Sequence, residues 1–252
     1  MPYMVGSARP WSPTELAAGM LVRYRHRELL GADGSAISQW DQYPTNTNPL
    51  VQATGANQPL TKTGANGIGG RTCARFDSVD DYLAATVAAL NVERTDLFSV
   101  FAVGRRTGSA GIVLARQLGT NQSTGWRVYL SSGKVLFQLV SDGSTSNWLV
   151  LQGNTTIATN AAFCAVVTYA GTSAPSGVKI YVNNVAQSLT TLANNLTGSI
   201  MNNAQLTMGS VDGGVSPAAV DVAEAFAYGG VLSAAQAGLL YTEYARGEYG
   251  LT

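Results

Sequence analysis

The first question is whether two carboxylates have the spacing that a glycoside hydrolase needs. A glycoside hydrolase needs two carboxyl groups about 5–10 Å apart that flank the scissile bond. Asp221 and Glu224 come nearest, but an offset of three places them on opposite faces of a strand. Glu224 would share its face with the apolar Val222 and Phe226, where a carboxylate must be paired or hydrogen-bonded. We therefore expect Glu224 to have a structural partner, such as Arg75; a role in a site is the alternative.

The sequence offers few residues for nucleophilic catalysis. His26 is the single histidine, so a Ser-His-Asp or Cys-His arrangement with a second general base cannot be built. His26 falls on the apolar side of its predicted strand, which favours a core histidine. We expect the protein not to be an enzyme.

Three further carboxylates, Asp77, Asp80 and Asp81, lie within five residues of each other. Such a cluster could hold Ca²⁺, which takes six to eight oxygen ligands. The spacing is not that of an EF-hand loop, and a strand-end turn is the alternative interpretation. Apart from this candidate Ca²⁺ site, no cofactor is expected.

Aromatic residues with nearby amides and carboxylates suit sugar binding, since aromatic faces stack on sugar rings and polar side chains bind hydroxyls. Five candidates lie in or beside predicted hairpins: Trp126, Tyr129, Trp148, Asn147 and Asp142. The same inventory also suits core packing, so both interpretations stay open.

Three arginines alternate along one predicted strand. Arg23, Arg25 and Arg27 fall on the face opposite Val22 and Tyr24, because side chains alternate along a strand. This row is either a solvated strand face or an electrostatic contact with an acidic neighbouring subunit or an anionic glycan.

The first ten residues, Met1–Pro10, are interpreted as an extended arm that precedes one domain, residues 11–252. Two prolines disfavour a helix in this segment. Tyr3, Met4 and Val5 offer apolar anchors for docking on a partner. A basic region followed by an apolar run is missing, so no signal peptide is expected.

Composition excludes several classes of protein. Lys+Arg and Asp+Glu both number 15 among 252 residues, which argues against a nucleic-acid binder with a basic excess. Charged residues make up 12% and hydrophobic residues 46%, which disfavours a long disordered tail. An apolar run of 18 residues is not found, so no contact with a membrane is expected.

Cys73 and Cys164 are expected to be either free buried thiols or the two halves of a single disulfide.

Short β-branched runs bounded by Gly, Asn, Asp, Ser or Pro predict an all-β antiparallel sandwich. The predicted strands cover residues 21–27, 36–40, 72–76, 97–104, 111–115, 125–130, 134–140, 147–152, 163–170, 177–182, 185–189, 205–209 and 220–228. Two tight hairpin turns are predicted at Ser132-Gly133 and Asn183-Asn184.

Short helices are expected near both ends of the chain. Ser12-Pro13-Thr14-Glu15 and Ser233-Ala234-Ala235-Gln236 both have the capping-box spacing. The second helix should end at Gly247 or Gly250. Its apolar face is predicted to consist of Ala237, Leu240, Tyr241 and Tyr244.

Several fragments, in this order, resemble a laminin-G-like, concanavalin-A-like jelly roll. They are Trp11–Leu16, Gly34–Gln42, Asn57–Leu60, Ala74–Leu83, Phe98–Val103, Val166–Tyr169, Ile180–Asn183, Leu206–Gly209, Val222–Tyr228 and Tyr249-Gly250. The resemblance implies two curved antiparallel sheets, and such domains often bind glycans and are sometimes glycosidases. Glucanases of this fold carry two Glu and one Asp on alternate residues of one strand, a spacing that does not occur here.

Domains of this sub-type are similar to those in structural proteins of tailed bacteriophages and in secreted bacterial proteins. Because no signal peptide is expected, the phage alternative is favoured. That alternative implies a virion protein, a decoration, fibre or tail-associated subunit, that reaches the outside by host lysis. Its partners would be capsid, collar or tail proteins, further copies of itself in a homo-oligomer, and host-surface glycans. A free carbohydrate-binding lectin is the alternative, and a glycoside hydrolase is disfavoured by the missing carboxylate spacing.

Overall fold

A computed structural model describes residues 12–119, 123–142 and 145–252. Within them the strands are β1 (Met20–Arg25), β2 (Gln39–Trp40), β3 (Leu50–Val51), β4 (Leu60–Gly64), β5 (Gly70–Asp77), β6 (Leu83–Ala85), β7 (Leu97–Arg106), β8 (Ala110–Gln117), β9 (Gly125–Ser131), β10 (Lys134–Asp142), β11 (Asn147–Gly153), β12 (Ala162–Ala170), β13 (Val178–Val182), β14 (Val185–Ala186), β15 (Leu189–Asn194), β16 (Leu206–Met208) and β17 (Ala219–Tyr228).

The strands form two antiparallel sheets, which confirms the predicted β-sandwich. Sheet A has the order β14-β13-β12-β7-β17-β5-β4, and β1 also pairs with β17. Sheet B has the order β15-β11-β10-β9-β8-β16-β6-β3-β2. In β17, residues from Ala219 to Val222 pair with β5 and residues from Glu224 to Tyr228 pair with β1. Two strands therefore share one edge of β17.

Helical segments are short and lie outside the sheets. Six 3₁₀ turns cover Pro13–Gly19, His26–Glu28, Gly55–Asn57, Ala88–Leu90, Pro175–Gly177 and Asp212–Gly214 in the described ranges. The C-terminal helix runs from Ala234 to Leu239 as an α-helix, through a π-helical stretch at Leu240–Ala245, to Arg246–Tyr249. No helix in the described part of the chain is both long and apolar enough to cross a membrane.

Local turn and cap chemistry follows the sequence closely. Ser132 and Asn183 adopt left-handed backbone angles, with φ of 50° and 49°, and both predicted hairpins form around them. The backbone N–H of Gln236 donates to Ser233 Oγ over 3.2 Å, and Gly250 ends the helix at φ 61°. Ser12 precedes a 3₁₀ turn but makes no side-chain cap, so the capping box predicted there is not formed.

The structure contains two apolar clusters, one on each side of sheet A. The inner core lies between the sheets and includes Phe98, Trp126, Phe137 and Tyr169. The outer core lies between sheet A and the C-terminal helix; its members include Phe101, Cys73, Cys164, Phe226, Ala237, Leu240, Tyr241 and Tyr249. Tyr244 packs against it, so the predicted apolar helix face is confirmed. Both cysteines are buried and unpaired.

The outer core matters because it covers a sheet face that would otherwise meet solvent. Phe101 and Phe226 stack with their ring centroids 4.7 Å apart. Burial raises the pKa of the Cys73 thiol to about 12, so it stays protonated at neutral pH. The molecule is therefore a three-layer arrangement in which the C-terminal helix covers the outward face of sheet A.

Candidate ligand site on sheet B

Alternation along β9 decides which of its aromatic residues can meet a ligand. Trp126 and Val128 belong to the inner core, so Arg127 and Tyr129 point to the opposite face of sheet B. Trp126 is 1% exposed, and its Nε1 donates to the Leu90 carbonyl over 3.2 Å. The prediction that Trp126 contacts a ligand is therefore wrong, because the residue is part of the core.

Asn147 and Asp142 face each other in the register of β10 and β11. The Asn147 amide donates to Thr197 Oγ1 over 2.7 Å, and its oxygen accepts from the Thr197 N–H over 2.9 Å. These bonds fasten the loop after β15 to β11. Asn147 therefore has a structural role, while Asp142 is half-buried and has a polar partner of its own. Neither residue lines the cavities described next.

Two adjoining cavities lie on the outward face of strands β8 to β11. The Trp148 cavity has a volume of about 390 Å³ and is lined by Gln117, Leu118, Gly119, Ser123, Arg127, Gln138, Trp148, Val211, Val215 and Ser216. The Tyr129 cavity has a volume of about 300 Å³ and is lined by Ala110, Gly111, Ile112, Arg127, Tyr129, Leu130, Ser131, Ser216 and Pro217. Arg127 and Ser216 belong to both, so they form the wall between the two spaces.

Arg127 is held between neighbouring side chains of the sheet. Its Nε donates to Gln138 Oε1 over 2.7 Å, and Gln138 is its register partner on β10. Its guanidinium carbon lies 4.3 Å from the centroid of the Tyr129 ring, a cation–π distance. Burial lowers the pKa of Arg127, and Tyr129 opposes that shift. The cation is thus fixed in place and partly desolvated.

Gln117 lines the Trp148 cavity and has a side-chain acceptor without a partner among the described residues. The side chain is 2% exposed, and its Nε2 donates to the Ser123 carbonyl over 2.8 Å. Its Oε1 is buried without a hydrogen-bond partner in the described structure. Buried acceptors are nearly always paired, so an unpaired one calls for an explanation; here its residue lines a cavity.

Tyr129 and Trp148, two of the predicted ligand residues, line these cavities, whereas Arg127, Gln117 and Gln138 were not predicted. A signal was available in the run Trp126-Arg127-Val128-Tyr129-Leu130. Strict alternation separates the apolar residues from Arg127 and Tyr129. Alternation therefore also places Trp126 and Tyr129 on opposite faces of the sheet, so the two residues cannot contact the same ligand.

The predicted arginine row is not one exposed surface. Arg23 is 2% exposed, because the C-terminal helix covers this face of β1. Its Nε donates to Glu224 Oε1 over 2.7 Å, and its Nη2 donates to Tyr244 Oη over 2.9 Å. The prediction that Arg23 docks a partner is wrong, since its charge is used inside the outer core.

Arg25 and Arg27 lie nearer the surface but have partners. Arg25 forms an ion pair with Glu28, and its guanidinium carbon lies 3.4 Å from the centroid of the Tyr43 ring. The strand ends at Arg25, and Arg27 follows in a 3₁₀ turn. Arg27 Nη2 bonds Glu248 Oε1 over 2.9 Å and is 60% exposed in its side chain. His26 Nε2 shares that carboxylate oxygen at 2.6 Å.

Asp221 and Glu224 occupy the same face of sheet A, contrary to the prediction from their spacing. A β-bulge in β17 between Val222 and Glu224 adds one residue to the strand. Ala223 and Glu224 then both face the outer core, while Val222 and Ala225 face the inner core. Counting residues predicts the face only where the strand is regular.

Both carboxylates are saturated by donors. Asp221 accepts from Arg75 Nε and Arg105 Nε, each over 2.8 Å. Arg75 is therefore the partner of Asp221 and not of Glu224. Glu224 Oε2 accepts from Tyr244 Oη over 2.6 Å and also from Tyr249 Oη. Each carboxylate is 0% exposed, so neither can reach a substrate.

The carboxylates of Asp77, Asp80 and Asp81 converge within 4.8 Å of one another. Asp77 Oδ1 accepts from the Val79 N–H over 2.8 Å, and Asp81 Oδ2 accepts from the Asp77 N–H over 3.0 Å. Burial, followed by the Asp77 charge, raises the pKa of Asp81 to about 6. The turn hydrogen bonds alone account for this geometry; Ca²⁺ binding stays a prediction.

The predicted docking anchors Tyr3, Met4 and Val5, together with the rest of the arm 1–10, lie outside the described residues. Their role in docking stays a prediction.

The fold is similar to that of solved β-sandwich structures, while no protein-family model and no curated protein matches the sequence. The binding domain of Paraclostridial Mosquitocidal Protein 1 has a TM-score of 0.63 at 13% identity, over 91% of this chain and 53% of that one. The binding domain of botulinum neurotoxin serotype D has a TM-score of 0.57 at 11% identity, over 88% and 51%. Trypanosoma rangeli sialidase in complex with sialic acid has a TM-score of 0.56 at 14% identity, over 96% and 34%.

This chain therefore spans about half the length of the two binding domains and about a third of the sialidase. At these identities the likeness concerns the fold, since one fold carries many functions.

Proposed function

We propose that this chain is a non-enzymatic β-sandwich module that binds carbohydrate on the outward face of sheet B. The observation that carries the proposal is the pair of adjoining cavities around Arg127, each with an aromatic residue in its wall. Tyr129 and Trp148 offer faces on which sugar rings stack. Gln117 and Gln138 supply amide groups that can bind hydroxyls.

The structural neighbours are consistent with a binding role. Two of them are described as binding domains, and the sialidase was solved with sialic acid. Their low identity makes this a support for the proposal and not a demonstration.

The absence of a suitable carboxylate pair supports binding without hydrolysis. Among the described residues, neither cavity is lined by Asp or Glu, whereas hydrolysis of a glycoside takes two such groups. Asp221 and Glu224 are buried on the outward face of sheet A, and each accepts from several donors. Incubation with a bound oligosaccharide should leave it intact, and release of a shorter sugar would contradict the proposal.

We further propose that the module belongs to a bacteriophage virion protein, a decoration, fibre or tail-associated subunit. This part rests on the sequence resemblance alone. The neighbouring reading frames provide the test: capsid and tail genes would support it, and genes for polysaccharide-degrading enzymes would contradict it.

A glycan array with two variants tests the carbohydrate site. Trp148→Ala removes the aromatic wall of its cavity and should abolish or strongly weaken every signal of the wild type. Leu192→Ala is the matched control, because Leu192 is 54% exposed on the neighbouring strand β15 and lines neither cavity. Equal signals from both variants, or a blank array for the wild type, would contradict the proposal.

A further inference from the structure

We propose that the site takes a saccharide bearing a carboxylate, which pairs with Arg127. The inference rests on the proposed function and adds the class of sugar. It starts from the position of the guanidinium, which lies in the wall between the two cavities. A ligand that occupies either cavity must therefore meet this cation.

Arg127 differs from the other arginines that lie within the described strands in what its charge meets. Arg23, Arg75 and Arg105 are paired with buried carboxylates. Arg106 and Arg116 direct Nη1 to the Ile157 and Val87 carbonyls, over 2.6 and 2.7 Å.

Within the described ranges, Arg127 has neither kind of partner. It forms no ion pair with a carboxylate, and its Nη atoms donate to no backbone carbonyl. A half-buried cation of this kind lacks the counter-charge that usually offsets its desolvation. A bound anion would provide it.

The surroundings of Arg127 favour a carboxylate. Gln138 and the Tyr129 ring fix the guanidinium through its Nε and its face. The edge that carries the Nη donors can then meet two oxygens in parallel, the geometry in which arginine binds a carboxylate. No lysine and no second arginine lines either cavity in the described structure, so the site is matched to a single negative charge.

Gln117 gives an independent reason to expect a polar ligand here. Its Oε1 is buried and has no partner among the described residues, and Gln117 lines the Trp148 cavity. An orphaned acceptor costs free energy until a donor reaches it, and a sugar hydroxyl is such a donor. Together with Arg127, it demands a ligand that has both an anionic group and hydroxyls, which an acidic sugar combines.

The test compares each acidic sugar with its own neutral ester. The probes are the methyl glycosides of glucuronic, galacturonic and N-acetylneuraminic acid and the carboxyl methyl ester of each, titrated into the full chain by calorimetry. We expect at least one acid to bind about tenfold or more tightly than its ester, the size of one charge-assisted bidentate pair. Arg127→Met should abolish that difference. Arg246→Met, which removes an exposed charge on the C-terminal helix, should preserve it.

The outcomes separate this inference from the proposed function. Equal binding of acids and esters, or an acid preference that survives in Arg127→Met, overturns the inference and leaves carbohydrate binding intact. Failure of the wild type to bind any saccharide on the array overturns both. If Arg127→Met does not fold, the Arg127 Nε–H resonance of the wild type replaces it: the resonance must shift with the acid and not with the ester, and an unmoved resonance overturns the inference.

Discussion

At the scale of single residues, buried charges on sheet A are balanced by specific donors. Glu224 accepts from Arg23, Tyr244 and Tyr249, and Asp221 accepts from two arginines. Burial, followed by the charge of Glu224, raises the pKa of Tyr249 well above its usual value, so its hydroxyl stays a donor. The Glu224 contacts hold the C-terminal helix to β1 and β17.

Replacing the Glu224 carboxylate should destabilise the protein strongly. Glu224→Gln leaves Arg23 buried without a counter-charge, and removal of one partner from a buried pair costs about 3–5 kcal/mol. Urea unfolding measures the loss. Glu243→Gln makes the same change on an exposed side chain of the helix and should alter stability by less than about 0.5 kcal/mol. Equal stabilities of the two variants would contradict the structural role of Glu224.

The raised pKa of Asp81 predicts a dependence of stability on pH. Its pKa is about 6 in the folded protein, against 3.8 for the ordinary group, so the folded state binds more protons between these values. The free energy of unfolding should therefore fall as pH rises from about 4 to about 6 through this residue. Asp81→Asn keeps an acceptor for the Asp77 N–H but removes the titration.

We expect Asp81→Asn to unfold at a higher urea concentration than the wild type at pH 7.5 and to lose this part of the pH dependence. A parallel curve for both proteins from pH 4 to 7.5 would show that Asp81 titrates normally. The same urea unfolding with added Ca²⁺ tests the predicted ion site. If Ca²⁺ binds there, it should stabilise the wild type and not the Asp81→Asn variant.

At the scale of elements, the C-terminal helix supplies a third layer. Leu240 is 0% exposed in the outer core, where it lies between the helix and the outward face of sheet A. Leu240→Ala should cost about 2–5 kcal/mol through lost burial and a cavity. Leu30→Ala is the control, since Leu30 is 78% exposed. Thermal unfolding in which both variants match the wild type would refute this role of the helix.

Elements defined by neighbouring residues were predictable from the sequence. Ser132-Gly133 and Asn183-Asn184 specify their turns by backbone preference, and Ser233 with Gln236 specifies a helix start. The short strands β3, β4, β6 and β15 were not anticipated, because two to six residues carry little periodicity of their own. Pairing with distant strands defines them.

The site was predictable only in part, for two physical reasons. Periodicity shows that Arg23 lies opposite Val22, but it cannot show that a helix residue 221 positions later, Tyr244, covers that face. The bulge at Ala223 is likewise defined by the register of β17 with the distant strand β7. The cavity residues Gln117 and Gln138 come together through strand register, which no short motif encodes.

At the scale of the molecule, the faces of the sandwich have different tasks. One face of sheet A is closed by the helix and its buried ion pairs, and the inner faces form the main core. The outward face of sheet B carries the two cavities, an unpaired cation and an orphaned acceptor. A three-layer body with one polar, aromatic-walled face is suited to presenting a binding site.

The tryptophan indole resonances offer the most direct test of carbohydrate binding at this face. In a spectrum of the ¹⁵N-labelled protein, addition of a saccharide that the array identifies should shift the Trp148 indole N–H. The indoles of Trp40 and Trp126 are buried and bonded to the Arg25 and Leu90 carbonyls, so they should stay in place. A saturating titration that leaves Trp148 unmoved would contradict the assignment of the site.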